Sequence, residues 1–108
     1  MNQSFETSTM RHENLDGYSF KERLEESEGS ILLDVRTPGE YNSGTLPGAI
    51  NMDLMSPSFK EQVLKLDKKK EYFLLCRSGA RSSQACAWMA MEGYKVRNLD
   101  GGIGAWPR

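Results

Sequence analysis

The sequence predicts an α/β domain, with a mainly parallel central sheet of about five short strands and helices on both faces. Three observations carry this. Apolar runs of four or five residues recur along the chain, too short for helices and long enough for buried strands. Segments with helix caps or helical spacing separate them. The strongest helical pattern follows a strand that ends at a cysteine, which is how a strand hands over to a helix in a parallel unit.

Bulk properties narrow the function. The 108 residues are enough for one compact domain, which buries roughly two-thirds of its unfolded surface. A flexible tail is expected over residues 1–13 and a single domain over 14–108. The net charge of −1 argues against nucleic acid or an anionic membrane as partner. No apolar run approaches the ~20 residues needed to cross a bilayer. The first residues, Met1 to Glu6, lack the pattern of a signal peptide. A cytoplasmic location and two free thiols are therefore expected. His12, the only histidine, is read as an exposed tail residue without a role, which disfavours a cysteine–histidine pair.

The elements follow in order. Ser19 with Glu22 fits a capping box, opening a helix to about Glu28 with Phe20 and Leu24 inward and Gly29 as its stop. Ile31–Val35 reads as a buried strand. Thr37-Pro38-Gly39-Glu40 is a second capping box, with proline at the first helical position and a stop near Gly44. Pro47-Gly48 is a turn, and Ala49–Met52 a short strand. Phe59, Val63 and Leu66 recur at helical spacing after Ser56-Pro57-Ser58. Lys68-Lys69-Lys70 reads as a solvated turn before the strand Tyr72–Leu75. A helix over Ser83–Glu92, closed by Gly93, and a last strand over Val96–Leu99 complete the pattern.

Cys76 stands between strand and helix, at the carboxyl end where ligands bind in such sheets. A loop there aims backbone N–H groups and the positive helix end at one point, and this stabilises a thiolate. The segment Arg77-Ser78-Gly79-Ala80-Arg81-Ser82 adds two guanidinium groups, two hydroxyls and a permissive glycine. Nothing in a plain core position calls for that composition. Cys76 is therefore read as a low-pKa nucleophile for an anionic substrate. Arg81 and Arg77 are candidates to hold the anion; Ser78 and Ser82 either donate to it or cap the helix. Cys86 reads as a buried helix cysteine, with a resolving thiol as the alternative. The two cysteines lack C-x-x-C spacing, and no metal site is expected. Asp34 and Arg36 flank a strand end and read mainly as scaffold for the loops at the sheet edge. Arg36 would pair with Asp34 or Glu40, and Asp34 would support the cysteine loop indirectly.

Four segments together resemble the rhodanese family. They are Asp34-Val35-Arg36 to Glu40-Tyr41, Gly44-Thr45-Leu46-Pro47-Gly48-Ala49-Ile50-Asn51, Cys76-Arg77-Ser78-Gly79-Ala80-Arg81-Ser82, and Leu99-Asp100-Gly101-Gly102 to Trp106. They stand in the family's order, and the resemblance covers about residues 15 to 106, nearly the entire chain. Thr45 replaces the histidine of the second segment, with little effect expected. The sequence stops at Arg108, where many relatives continue, so Trp106 is expected to be more exposed than usual.

The resemblance implies a sulfurtransferase. Cys76 would take the outer sulfur of thiosulfate, a persulfide or a polysulfide and pass it to a thiol or cyanide. The backbone of Arg77 to Ser82 would cradle the persulfide, and Arg77 and Arg81 would orient the donor. No metal or organic cofactor is implied. A sulfur-carrier module fed by a relay protein is the alternative. Phosphatases and arsenate reductases of related fold have C-x5-R loops, and the C-x4-R spacing from Cys76 to Arg81 makes that reading weaker.

Overall fold

The computed structural model describes residues 12–107, so most of the expected tail lies outside the described residues. Five strands form one sheet: β1 (Glu13–Leu15), β2 (Ile31–Asp34), β3 (Ile50–Asn51), β4 (Glu71–Leu75) and β5 (Lys95–Leu99). Their order is β1-β5-β4-β2-β3, and every pairing is parallel. Between them run α1 (Gly17–Glu26), α2 (Pro38–Asn42), α3 (Phe59–Val63) and α4 (Ala80–Met91), and a 3₁₀ turn follows at Ile103–Ala105. Among the described residues no helix is long and apolar enough to cross a membrane.

Strand alternation divides the core in two. Leu33, Val35, Tyr72, Leu74 and Cys76 pack with Phe59, Val63, Cys86 and Met89 of α3 and α4. Leu32, Phe73 and Leu75 point the other way, to Phe20 of α1 and to Leu46 and Trp106. There Phe20 meets Phe73 edge-on at 5.4 Å and Trp106 at 6.3 Å. Trp106 is half-buried.

Three local expectations change. The cap of α1 is Asp16, whose Oδ1 accepts from the Ser19 N–H at 2.8 Å, so the helix begins before Ser19. It begins on Gly17, where a Cβ would lie 1.7 Å from the Ala105 carbonyl oxygen, and it ends at Glu26. Strand β1 has no apolar pattern of its own; it forms by pairing with β5, and half-buried His12 directly precedes it. Helix α4 starts three residues before the expected Ser83, because Gly79 at φ +96° turns the chain straight into helix. The second capping box forms as expected, with Thr37 and Glu40 satisfying each other's backbone N–H groups.

Candidate active site

Because Cys76 extends the alternation of β4, its side chain points to the α4 side of the sheet, beneath the helix N-terminus. The Sγ accepts hydrogen bonds from the Gly79 N–H (3.1 Å), the Ser82 N–H (3.4 Å) and the Ser82 hydroxyl (3.3 Å). Cys76 and Ser82 are both fully buried. Burial pushes the thiol pKa up, but the Ser82 hydroxyl and the N–H groups of Ser82, Gly79 and Ser78 outweigh it, and the net shift is downward. Cys86 has no such donors. Burial and the nearby Cys76 push its thiol far above the ordinary range, which disfavours the reactive thiolate. Among the described residues no cluster could hold a metal ion.

The two loop arginines part company. Arg81 does not present a free fork to the loop mouth: its two terminal nitrogens donate to Glu40 Oε1 (2.8 Å) and Oε2 (3.0 Å). The Arg81 guanidinium and the Thr37 N–H hold the Glu40 carboxyl down to about 2. Arg77 is exposed, and its side chain has no hydrogen bond or ion pair among the described residues. Ser78 and Ala80 are exposed beside it, and Gly79 is buried.

Asp34 and Arg36 form a buried pair, with Nη2 to Oδ2 at 2.7 Å and Nε to Oδ1 at 2.9 Å. Arg36 also donates to the Gly44 carbonyl (2.7 Å), and Thr45 donates its hydroxyl to Asp34 (2.8 Å). The pair therefore fastens the Gly44–Pro47 loop to the strand beside β4. Thr45, standing where the family has histidine, thus takes part in the scaffold. Asn51 ties the same corner, donating to the carbonyls of Asp34 and Arg36.

Sequence reasoning passed over the support behind the loop. The Ile103 N–H donates to the Cys76 carbonyl at 2.8 Å. A Cβ on Gly102 would lie 1.9 Å from the Arg77 carbonyl oxygen. Asn98, buried in β5, donates to the Gly79 carbonyl (3.2 Å) and to Asn14 Oδ1 (2.9 Å). The Gly101-Gly102 pair was the available signal for the close approach; Asn98 carried none.

The rhodanese-like domain family matches residues 18–108. The chain belongs to this family. It is 39% identical over 95 residues to a sulfurtransferase of Allochromatium vinosum, spanning 87% of each sequence. Among solved structures it resembles a rhodanese-like domain protein from Staphylococcus aureus, at a TM-score of 0.76 and 25% identity, over 88% of this chain and 91% of that one. It also resembles part of an NAD-dependent persulfide reductase from A. fulgidus, at a TM-score of 0.66 and 25% identity, covering 89% of this chain and 16% of that one.

Proposed function

We propose that the protein is a rhodanese-type sulfurtransferase with Cys76 as the sulfur-carrying nucleophile. The observation that carries this is the convergence of Gly79 N–H, Ser82 N–H and Ser82 Oγ on one sulfur. Such a set stabilises the attacking thiolate, and the same groups suit the persulfide that replaces it. The thiolate attacks the outer sulfur of the donor, and the donor's S–S bond breaks. With thiosulfate the departing group is sulfite, which keeps the bonding electron pair; with an organic persulfide it is the thiolate. A thiol or cyanide acceptor then attacks the outer sulfur of the Cys76 persulfide and regenerates the Cys76 thiolate. This is covalent catalysis in two half-reactions.

Cys76 exposes no surface, so entry of a donor requires the loop around it to open. Arg77 meets the anionic donor, while Asp34 and Arg36 keep the neighbouring loop in place. No cofactor is needed for this cycle. The same burial favours a second reading, in which a relay protein opens the loop and the domain serves as a sulfur carrier in the cytoplasm. The C-x4-R loop is one residue shorter than that of the related phosphatases and arsenate reductases, and it suits a single sulfur atom better than an oxyanion.

Intact-protein mass spectrometry tests the proposal. Wild type incubated with thiosulfate, polysulfide or glutathione persulfide should gain one sulfur atom, and Cys76→Ser should gain none. No gain from any donor would defeat the enzyme reading. Loading with slow turnover to cyanide or thiols would favour the carrier.

A further inference from the structure

The charges around the cysteine loop are almost all spent on one another. Arg36 is paired with Asp34, and Arg81 with Glu40, both through two-pronged contacts. The second pair is held stiffly, because Glu40 Oε1 also accepts from the Thr37 N–H (3.1 Å) and the Thr37 hydroxyl (3.1 Å). Its carboxylate is thus built into the cap of α2 and cannot swing away as an exposed glutamate would. Glu40 first, and Cys76 and Asp34 more weakly, strengthen the hold of Arg81 on its proton. Arg77 is left as the one loop cation with no partner among the described residues.

The ledger of charge at the loop mouth therefore comes to two neutralised pairs and one uncompensated arginine. Thiosulfate is a compact dianion, and a site built for it gains from a second available cation. An organic persulfide carries at most one charge at the reacting sulfur, and one cation suffices.

We propose that Glu40 is a specificity-determining residue: by holding Arg81 it leaves a single effective positive charge at the loop and biases the site toward organic persulfides over thiosulfate. The assignment rests on Cys76 as the sulfur acceptor. Glu40 acts through Arg81 and touches neither donor nor sulfur.

The test compares thiosulfate with glutathione persulfide as donors for the full chain, with cyanide as acceptor. In Glu40→Gln the Arg81 charge is no longer neutralised. The ratio of kcat/KM for thiosulfate to that for persulfide should rise about tenfold over wild type, mainly through KM. Glu40→Asp, which keeps the charge, should hold the ratio near the wild-type value. A ratio unmoved within about twofold in Glu40→Gln, or a parallel loss with both donors, overturns the proposal. Should Glu40→Gln fail to fold, Arg77→Gln serves in its place. With Arg81 committed to Glu40, that variant should lose thiosulfate kcat/KM by about tenfold or more. Retention within about twofold would mean that Arg81 is available after all, and the proposal falls. If no donor loads Cys76 in wild type, it is the sulfurtransferase reading that fails; loading with an unmoved ratio refutes only the role of Glu40.

Discussion

The Ser82 hydroxyl lies 3.3 Å from Cys76 Sγ, inside the first turn of α4, and both residues are fully buried. The contact opposes the burial that would otherwise keep the thiol protonated. Ser82→Ala should therefore raise the pKa of Cys76, read from the ultraviolet absorbance of the thiolate during a pH titration. The sign also bears on stability. A group whose folded pKa is depressed stabilises the fold above its unfolded pKa, and that stabilisation is lost as pH falls through the folded value. Wild type should gain stability between those two values, and Ser82→Ala should gain less.

Much of this site is legible in the sequence, because the cysteine, its glycine and the capping boxes are local signals. Thr37, Pro38 and Glu40 announce α2 by spacing alone. The partner of Arg81 is not local: Glu40 is 41 positions away, and the parallel sheet brings it there. The same holds for Asn98 behind Gly79 and for β1, a strand formed by its neighbour and not by its own pattern. Ser19-Phe20-Lys21-Glu22 has the spacing of a cap, yet α1 is capped one turn earlier, by Asp16. The packing of Gly17 on Ala105, a contact far along the chain, fixes that start.

Asp34→Asn should destabilise the protein by about 3–5 kcal/mol in urea unfolding, since it leaves the buried Arg36 guanidinium without its counter-charge. Replacing both residues with apolar ones of similar size should cost less than the single change.

Gly102→Ala and Gly104→Ala make a matched pair. Gly102 has φ +79° and its Cβ would meet the Arg77 carbonyl oxygen at 1.9 Å, whereas nothing lies within 4 Å of the Gly104 position. The first should cost about 2 kcal/mol or more and lower sulfur loading of Cys76. The second should stay within about 0.5 kcal/mol by the same unfolding assay.

Cys86→Ala should keep sulfur loading of Cys76 at the wild-type level, because the Cys86 thiol is buried and held protonated. It should cost about 1 kcal/mol of stability for the lost sulfur atom. Mass spectrometry after alkylation of the folded protein should find the label on Cys76 alone.

Acid stability gives a separate check on Glu40. Its carboxyl is held from the ordinary 4.5 down to about 2, first by Arg81. It stabilises the fold above the ordinary value, and that support is lost as pH falls through about 2. Glu40→Gln should flatten the acid limb of the pH–stability curve over that range.

The contact of Gly102 with the Arg77 peptide, and of Ile103 with the Cys76 carbonyl, has a consequence for biosynthesis. Residues 76–82 leave the ribosome before residues 98–103 do, so the nascent chain carries the reactive cysteine without the segment that shapes its loop. The N–H groups are not fixed around the sulfur until β5 has docked between β4 and β1. A chain stalled or cut before Gly102 would thus lack the segment that shapes its cysteine loop, and the chemistry is armed only after Gly102 and Ile103 have been added.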